Sequence, residues 1–306
     1  MTVRKPLLAI IGPTASGKSS LAMAVARKCG AEIISVDSMQ IYKDMDIGTA
    51  KPTELERRDI RHHLIDVAQP DELFSAARFV ELADAVIAES KSPLVATGGT
   101  PMYFKALFEG LFEGPGADES LRNRLRELSG AQLHERLRQV DAAAAERIHA
   151  GDSKRLVRAL EVFELTGKPI SVLQKQWESN QSARIPAVWV GLMWERDELN
   201  RRINARVKEM IAAGWVEEVR GLIAKYPKLS KTAAEATGYA ELIEFAQGHI
   251  DLVEAVEQIK IATRQLARRQ MKWFRRFRDV HWLDGREAVE RNVEQTIGLW
   301  EANGQC

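Results

Sequence analysis

Short apolar runs alternate along the chain with longer segments in which apolar residues recur at helical spacing. Leu7 to Ile11, entered through Pro6 and closed by Gly12, has the length of a buried strand, and Gly17 to Lys28 has the small and apolar spacing of a helix that follows it. Ala31 to Asp37, His63 to Val67, Leu94 to Thr97, Ala187 to Met193 and Val280 to Leu283 predict further strands, and Ala76 to Glu89 predicts a helix between two of them. Such alternation is the signature of a parallel sheet covered by helices on both faces, a three-layer α/β/α core. Between about Gly116 and Arg184 the strand signals vanish. Helices are expected there over Glu119 to Leu128, Gln132 to Val140, Ala142 to His149 and Ser153 to Thr166, the last stopped by Gly167 and Pro169. Strand character returns at Ala187, so residues 116–185 read as an all-helical insertion between core segments 1–115 and 186–306. Leu199 to Ala213 and Ile250 to Phe277 then predict long helices.

With 306 residues, 45% of them hydrophobic, the chain has enough apolar material for a large core. No run approaches the roughly 20 apolar residues of a membrane span, and neither a span nor a signal peptide is expected. Cys29 and Cys306 are too few for a disulfide scaffold and too far apart for a metal site, which favours a reducing, cytoplasmic setting. The histidines show no metal-ligand spacing. Trp177, Trp189, Trp194, Trp215, Trp282 and Trp300 are assigned to core packing. A net charge of +1 points to no partner, but its distribution does: Lys260 to Arg278 contains eight basic residues and no acidic one, so the rest of the chain is net acidic. At 100° per residue Lys260, Arg264, Arg268, Lys272 and Arg276 form one row, with Ile259, Ala262, Leu266, Trp273 and Phe277 opposite, which predicts a helix that packs on one side and offers a polyanion the other.

The sharpest local signal is Gly12-Pro13-Thr14-Ala15-Ser16-Gly17-Lys18-Ser19, a phosphate-binding loop set between a strand and a helix. Its glycines let backbone N–H groups curl around phosphate oxygens, Lys18 neutralises charge, and the Ser19 hydroxyl is a ligand for Mg²⁺. Asp37 closes the second strand at the sheet edge where ligands bind, placed to accept a proton or orient the metal. Leu94 to Thr97 leads to the same edge through Gly98, Gly99 and Thr100, without the carboxylate with which an ordinary NTPase organises Mg²⁺. These features weaken ATP hydrolysis and leave a small-molecule or nucleoside kinase, or a non-catalytic RNA-binding protein, as alternatives to group transfer with loss of diphosphate.

Taken in order, the phosphate loop, Asp37 to Tyr42, Met45 to Pro52, His62 to Asp66, Gly98 to Thr100, Ala117-Asp118 with Arg122, Arg155 to Glu161, Gly238-Tyr239 and Arg268 to Arg275 resemble the bacterial tRNA dimethylallyltransferase family over nearly the whole chain. The resemblance implies transfer of a dimethylallyl group from dimethylallyl diphosphate to the N6 amine of the adenine immediately 3′ of the anticodon, by a monomer bound to the tRNA anticodon stem-loop. It implies Asp37 as general base, Thr100 and Arg122 as residues holding the reacting groups, and Asp37, Ser38, Met39 and Gln40 against the flipped base. Lys154, Arg155, Leu156, Val157 and Arg158, then Glu235, Ala236, Thr237, Gly238, Tyr239 and Ala240, and finally Arg268, Arg269, Gln270, Met271, Lys272, Trp273, Phe274 and Arg275, match further tRNA-contact stretches. Lys272 stands where the family carries Thr, and Thr237 and Ala240 also depart from its pattern.

Overall fold

All five residues of Leu7–Ile11 (β1) are buried, because the strand runs through the middle of a sheet with helices against both faces. The computed structural model describes residues 6–111, 114–179 and 183–304, and of 176–179 the backbone alone, so the packing of Trp177 and the place of Cys306 lie outside the described residues. Glu32–Ser35 (β2), His62–His63 (β3), Leu94–Thr97 (β4), Ala187–Met193 (β5) and Val280–Asp284 (β6) complete a six-stranded sheet in the order β3-β2-β4-β1-β5-β6, with every neighbouring pair parallel. Leu7, Ala9 and Ile11 pack on one side with Phe79, Phe104 and Phe108, whereas Leu8 and Ile10 pack on the other with Leu21, Val25 and Trp300. The three-layer α/β/α expectation is met by this division of β1 into two alternating faces.

Register decides where chemistry can gather. Ile10 lies level with Thr97 and Val190, and Ser35 lies level with Thr97, so the loops leaving β1, β2 and β4 emerge together at the carboxyl edge. The strand order turns at β1, which has β4 on one side and β5 on the other; such a crevice is where open α/β sheets bind ligands.

The chain divides into two compact units, Met1–Phe108 with Ile185–Cys306, and Glu109–Arg184. The second is helical among its described residues: Glu119–Arg126, Gly130–Val140, Ala142–Arg147, Ser153–Thr166 and Ile170–Ser179. Each of the first four starts at a side-chain cap, from Asp118, Ser129, Asp141 and Asp152 respectively, and Leu121, Leu125, Leu133, Leu137, Leu156 and Leu160 form its core. The first unit adds a further apolar cluster around Trp215, in which the helices Trp215–Lys225 and Tyr239–Ala246 pack with the helix Leu252–Phe274 and with Ile41, Tyr42 and Met45.

The fold corrects two expectations from the pattern. The strand expected from His63 to Val67 is only His62–His63, because Leu64 and Asp66 adopt left-handed φ values of 64° and 57° that no strand continues through. The basic row on Leu252–Phe274 is also shorter than its spacing implies. Lys260 is buried and paired with Glu257, and Arg264 donates to Asn204 at 2.6 Å, so the solvent-facing charge begins at Arg268. The buried side of this helix is made by Ile259, Ala267, Gln270 and Phe274, and the helix ends at Phe274 rather than Phe277.

Candidate active site

Gly12 to Gly17 form the tight turn from β1 into the helix Lys18–Cys29, with Gly17 at φ 91° and Ala15, unusually for a residue with a side chain, at φ 63°. The turn is fastened from outside. Trp194 Nε1 donates to the Ser16 carbonyl at 2.8 Å, Arg202 Nε donates to the Ala15 carbonyl at 2.8 Å, and the Arg202 guanidinium stacks on the Trp194 ring. Trp194 is therefore a brace for the loop and not the core-packing residue its type predicted. Ser16 Oγ is buried against Gly12 without a hydrogen-bond partner among the described residues.

A cavity of about 310 Å³ opens beside this turn, lined by Gly17, Lys18, Ser19, Arg202, Arg206 and Glu209 among others. Lys18 is almost wholly buried, and its ammonium donates to the Pro13 carbonyl at 3.3 Å. Burial first, and then the charge of Arg206, push its pKa down to about 8 against the opposing pull of Asp37. The Arg206 guanidinium is likewise held below its usual range by burial, with Asp37 and Glu209 acting in the opposite direction. Lys18, Arg202 and Arg206 outnumber the single carboxylate, Glu209, that lines the same cavity, which favours an anionic ligand.

Asp37 is close enough to this cationic wall to act on the charges of both Lys18 and Arg206. Its Oδ1 accepts the Met39 N–H at 2.9 Å and its Oδ2 accepts the Gly99 N–H at 3.2 Å, so both carboxylate oxygens are aimed by backbone. Thr100 secures the same turn: its Oγ1 accepts the Ser38 N–H at 2.9 Å and donates to Ser38 Oγ at 3.1 Å. Gly98 is required by close approach, since a Cβ there would stand 2.1 Å from the Val36 carbonyl oxygen. Thr97, at the end of β4, donates to the Ile10 carbonyl at 3.1 Å, so the position where an NTPase carries its metal-organising carboxylate holds a hydroxyl already in use.

Gln40 is spent on structure: it accepts from Ser35 Oγ at 2.8 Å and donates to the Thr49 and Ala50 carbonyls at 3.2 and 3.1 Å. Beyond it, residues 46–48 wrap the Glu218 carboxylate, which accepts the N–H groups of Asp46, Ile47 and Gly48 and the hydroxyl of Tyr239. Among the other expected tRNA contacts, Leu156, Val157, Ala236, Gly238, Tyr239, Gln270 and Phe274 are buried. Lys154, Arg155, Glu235, Arg268, Arg269, Lys272 and Arg275 are exposed, and Arg158, Thr237, Ala240, Met271 and Trp273 are intermediate.

Arg122 belongs to the helical unit. There it is gripped by the fully buried Glu161, with Nε to Oε1 at 2.8 Å and the second contact at 3.1 Å, while its remaining nitrogen reaches Glu119 at 3.2 Å. Glu161 also accepts from Arg158 at 2.6 Å and from the Asp118 N–H at 2.8 Å. Burial alone would raise the Glu161 pKa, but these donors outweigh it and hold the carboxyl below its ordinary value. Arg202, Arg206 and Trp194 are the residues around the phosphate loop that the motifs missed. For Arg202 and Arg206 a signal existed, two basic residues four apart on one helix.

A phosphate-binding loop at the switch point of a parallel sheet, with a backbone-held carboxylate near it and two further arginines at the cavity, defines a P-loop α/β protein. The chain belongs to the IPP transferase family, whose model matches residues 40–277. It is 45% identical to a tRNA dimethylallyltransferase of Symbiobacterium thermophilum, over 99% of this chain and 98% of that one. It is 47% identical to a tRNA dimethylallyltransferase of Moorella thermoacetica, over 92% of this chain and 90% of that one. Among solved structures it is similar to the tRNA isopentenylpyrophosphate transferase of Bacillus halodurans, with TM-score 0.71, 34% identity and 98% of each chain covered.

Proposed function

We propose that this protein transfers a dimethylallyl group from dimethylallyl diphosphate to the N6 amine of the adenine immediately 3′ of the anticodon in tRNA. The observation that carries the reading is the proximity of two groups in one crevice, a cationic loop for diphosphate and the backbone-aimed Asp37 carboxylate. The N6 lone pair forms the new C–N bond at the allylic carbon, the C–O bond breaks with its electrons on the diphosphate, and the amine proton passes to Asp37. Lys18, the loop amides, Arg202 and Arg206 stabilise the charge that develops on the leaving group.

Ser19, exposed at the first helical turn and lining the cavity, is the residue that would hold Mg²⁺. Its hydroxyl is an oxygen donor of the kind Mg²⁺ takes, and it would share the ion with diphosphate oxygens. When bound, Mg²⁺ supplies further neutralisation of the leaving group. Thr100 keeps the Asp37 turn in shape, Arg122 is assigned to holding the reacting groups, and Lys154, Arg155 and Arg158 of the helical unit to holding the RNA. The target base must leave its stack to reach a carboxylate inside a crevice, as for other enzymes that act on a base.

The test is mass spectrometry of nucleosides from an unmodified anticodon stem-loop incubated with protein, Mg²⁺ and either dimethylallyl diphosphate or ATP. N6-isopentenyladenosine with the allyl donor alone supports the transferase, while unmodified RNA with ATP consumed supports a kinase or NTPase. Asp37→Ala is expected to lower turnover by about 10²–10⁴-fold with tRNA affinity nearly unchanged. Equal loss of both counts against the base role.

A further inference from the structure

Gln270 sits in the helix Leu252–Phe274 with only 6% of its surface exposed, and its two polar atoms go to two different loops. Its Oε1 accepts the Thr14 N–H of the phosphate loop at 2.9 Å, and its Nε2 donates to the Gly99 carbonyl at 2.7 Å. The Gly99 N–H in turn donates to Asp37 Oδ2 at 3.2 Å. One planar amide therefore spans the crevice, and two hydrogen bonds separate the carboxylate that receives the proton from the helix that carries the basic stretch. The fit is tight: a Cβ on Gly99 would lie 2.8 Å from Gln270 Nε2 and 3.0 Å from Asp37 Oδ2.

We propose that Gln270 is a positioning residue for the transfer reaction, fixing Asp37 at a set separation from the phosphate loop so that the amine, the allylic carbon and the departing diphosphate oxygen stay in line while the carboxylate stands beside the amine N–H. The inference rests on the prenyl-transfer reading above. It assigns Gln270 a part unlike that of a tRNA contact, because both of its hydrogen-bonding groups are already used inside the protein. An amide is the side chain that fits. It needs an acceptor on one side and a donor on the other, and an apolar replacement leaves the Thr14 N–H and the Gly99 carbonyl unpaired. A carboxylate in its place sets negative charge against the Gly99 carbonyl, whereas the protonated acid restores the donor.

The experiment compares wild type, Gln270→Leu and Gln270→Glu in single-turnover prenylation of the stem-loop from pH 6 to 8, alongside tRNA and pyrophosphate affinities. Misplacement of a reacting group by about 1 Å costs up to about 10²-fold in rate, and Gln270→Leu is expected to lose rate on that scale while tRNA affinity stays within about twofold. Gln270→Glu is expected to be slow at pH 8 and to regain rate relative to wild type as the pH falls, because burial keeps the introduced carboxyl protonated above its usual range. Rates within about threefold of wild type at every pH overturn the proposal. So does a Gln270→Glu loss that is the same at every pH, or a loss in either variant accompanied by an equal loss of tRNA affinity, which returns Gln270 to RNA contact. Should Gln270→Leu fail to fold, Gln270→Glu carries the test alone. A wild type that forms no prenylated nucleoside overturns the transferase reading itself, and this inference with it.

Discussion

Lys18 shows how a binding loop stores electrostatic tension before its ligand arrives. Its ammonium is buried beside Arg206, and its pKa falls from 10.5 to about 8. Between those two values the unfolded chain binds more protons than the folded one, so the lysine's contribution to stability rises with pH through that window and is least favourable below pH 8. Anion binding has the opposite sign, because diphosphate favours the charged ammonium and draws a proton back onto it. Calorimetry of pyrophosphate binding at pH 8, in buffers of differing ionisation enthalpy, should therefore show about half a proton more taken up by wild type than by Lys18→Met. The difference should shrink toward zero at pH 6.5, and equal uptake by the two proteins at pH 8 contradicts the burial argument. Residues of this kind were legible in the sequence because the phosphate loop is contiguous and its glycines, lysine and serine each have a local reason. Gln270 was not legible in the same way: its partner Thr14 is 256 positions away, and nothing in a glutamine's neighbours records such a contact. Glu161 is a similar case. It stands within a motif stretch, but only the fold shows it buried between Arg122 and Arg158.

At the scale of elements, the strands β4 and β5 were readable to the residue, since β4 is buried throughout and β5 over most of its middle, which leaves short runs with few polar letters and sharp ends. The end of β3 was not, because a sequence of apolar and polar letters carries no sign of φ, and Leu64 adopts a left-handed conformation while remaining buried. Short helices were also missed. Pro101–Glu109 begins directly at the Gly98 to Thr100 turn and is buried along much of its length, so it shows no polar face to set its period. In the helical unit the link between Asp118, Glu119–Arg126 and Ser153–Thr166 is the Glu161 carboxylate, and removing its charge should cost more than a surface ion pair would. Glu161→Gln leaves two guanidiniums competing for a neutral amide. A loss of about 2–4 kcal/mol in chemical denaturation is expected, the lower end allowing for the partial exposure of both arginines. The folded carboxyl has a lowered pKa, so this stabilisation is present above the ordinary value of 4.5 and is lost as the pH falls through the folded-state value. The gap between wild type and variant should therefore narrow in acid, and a gap that is constant with pH would show that packing, not charge, holds the helices together.

On the scale of the whole molecule, the charge is nearly balanced, 44 basic against 43 acidic side chains, yet an RNA partner needs a positive surface. The fold resolves this by gathering Arg268, Arg269, Lys272, Arg275, Arg276 and Arg278 as exposed or part-exposed cations at the end of the same helix whose buried side carries Gln270 to the phosphate loop. One helix thus has a chemical side and an electrostatic side, and the two are separable by mutation. Lys272 is exposed in the last turn of the helix, so it can be exchanged without touching the buried side. If it neutralises a phosphate, Lys272→Thr should reduce the slope of log K against log salt for tRNA binding by about one unit, and Arg268→Gln with Lys272→Thr and Arg276→Gln by about three. Single-turnover rate at saturating tRNA should hold within about twofold, since none of these side chains lines the phosphate-loop cavity. A fall in rate at saturation with an unchanged salt slope would mean that this face acts on the geometry of the crevice through Gln270, and the division of the helix into two independent sides would fail.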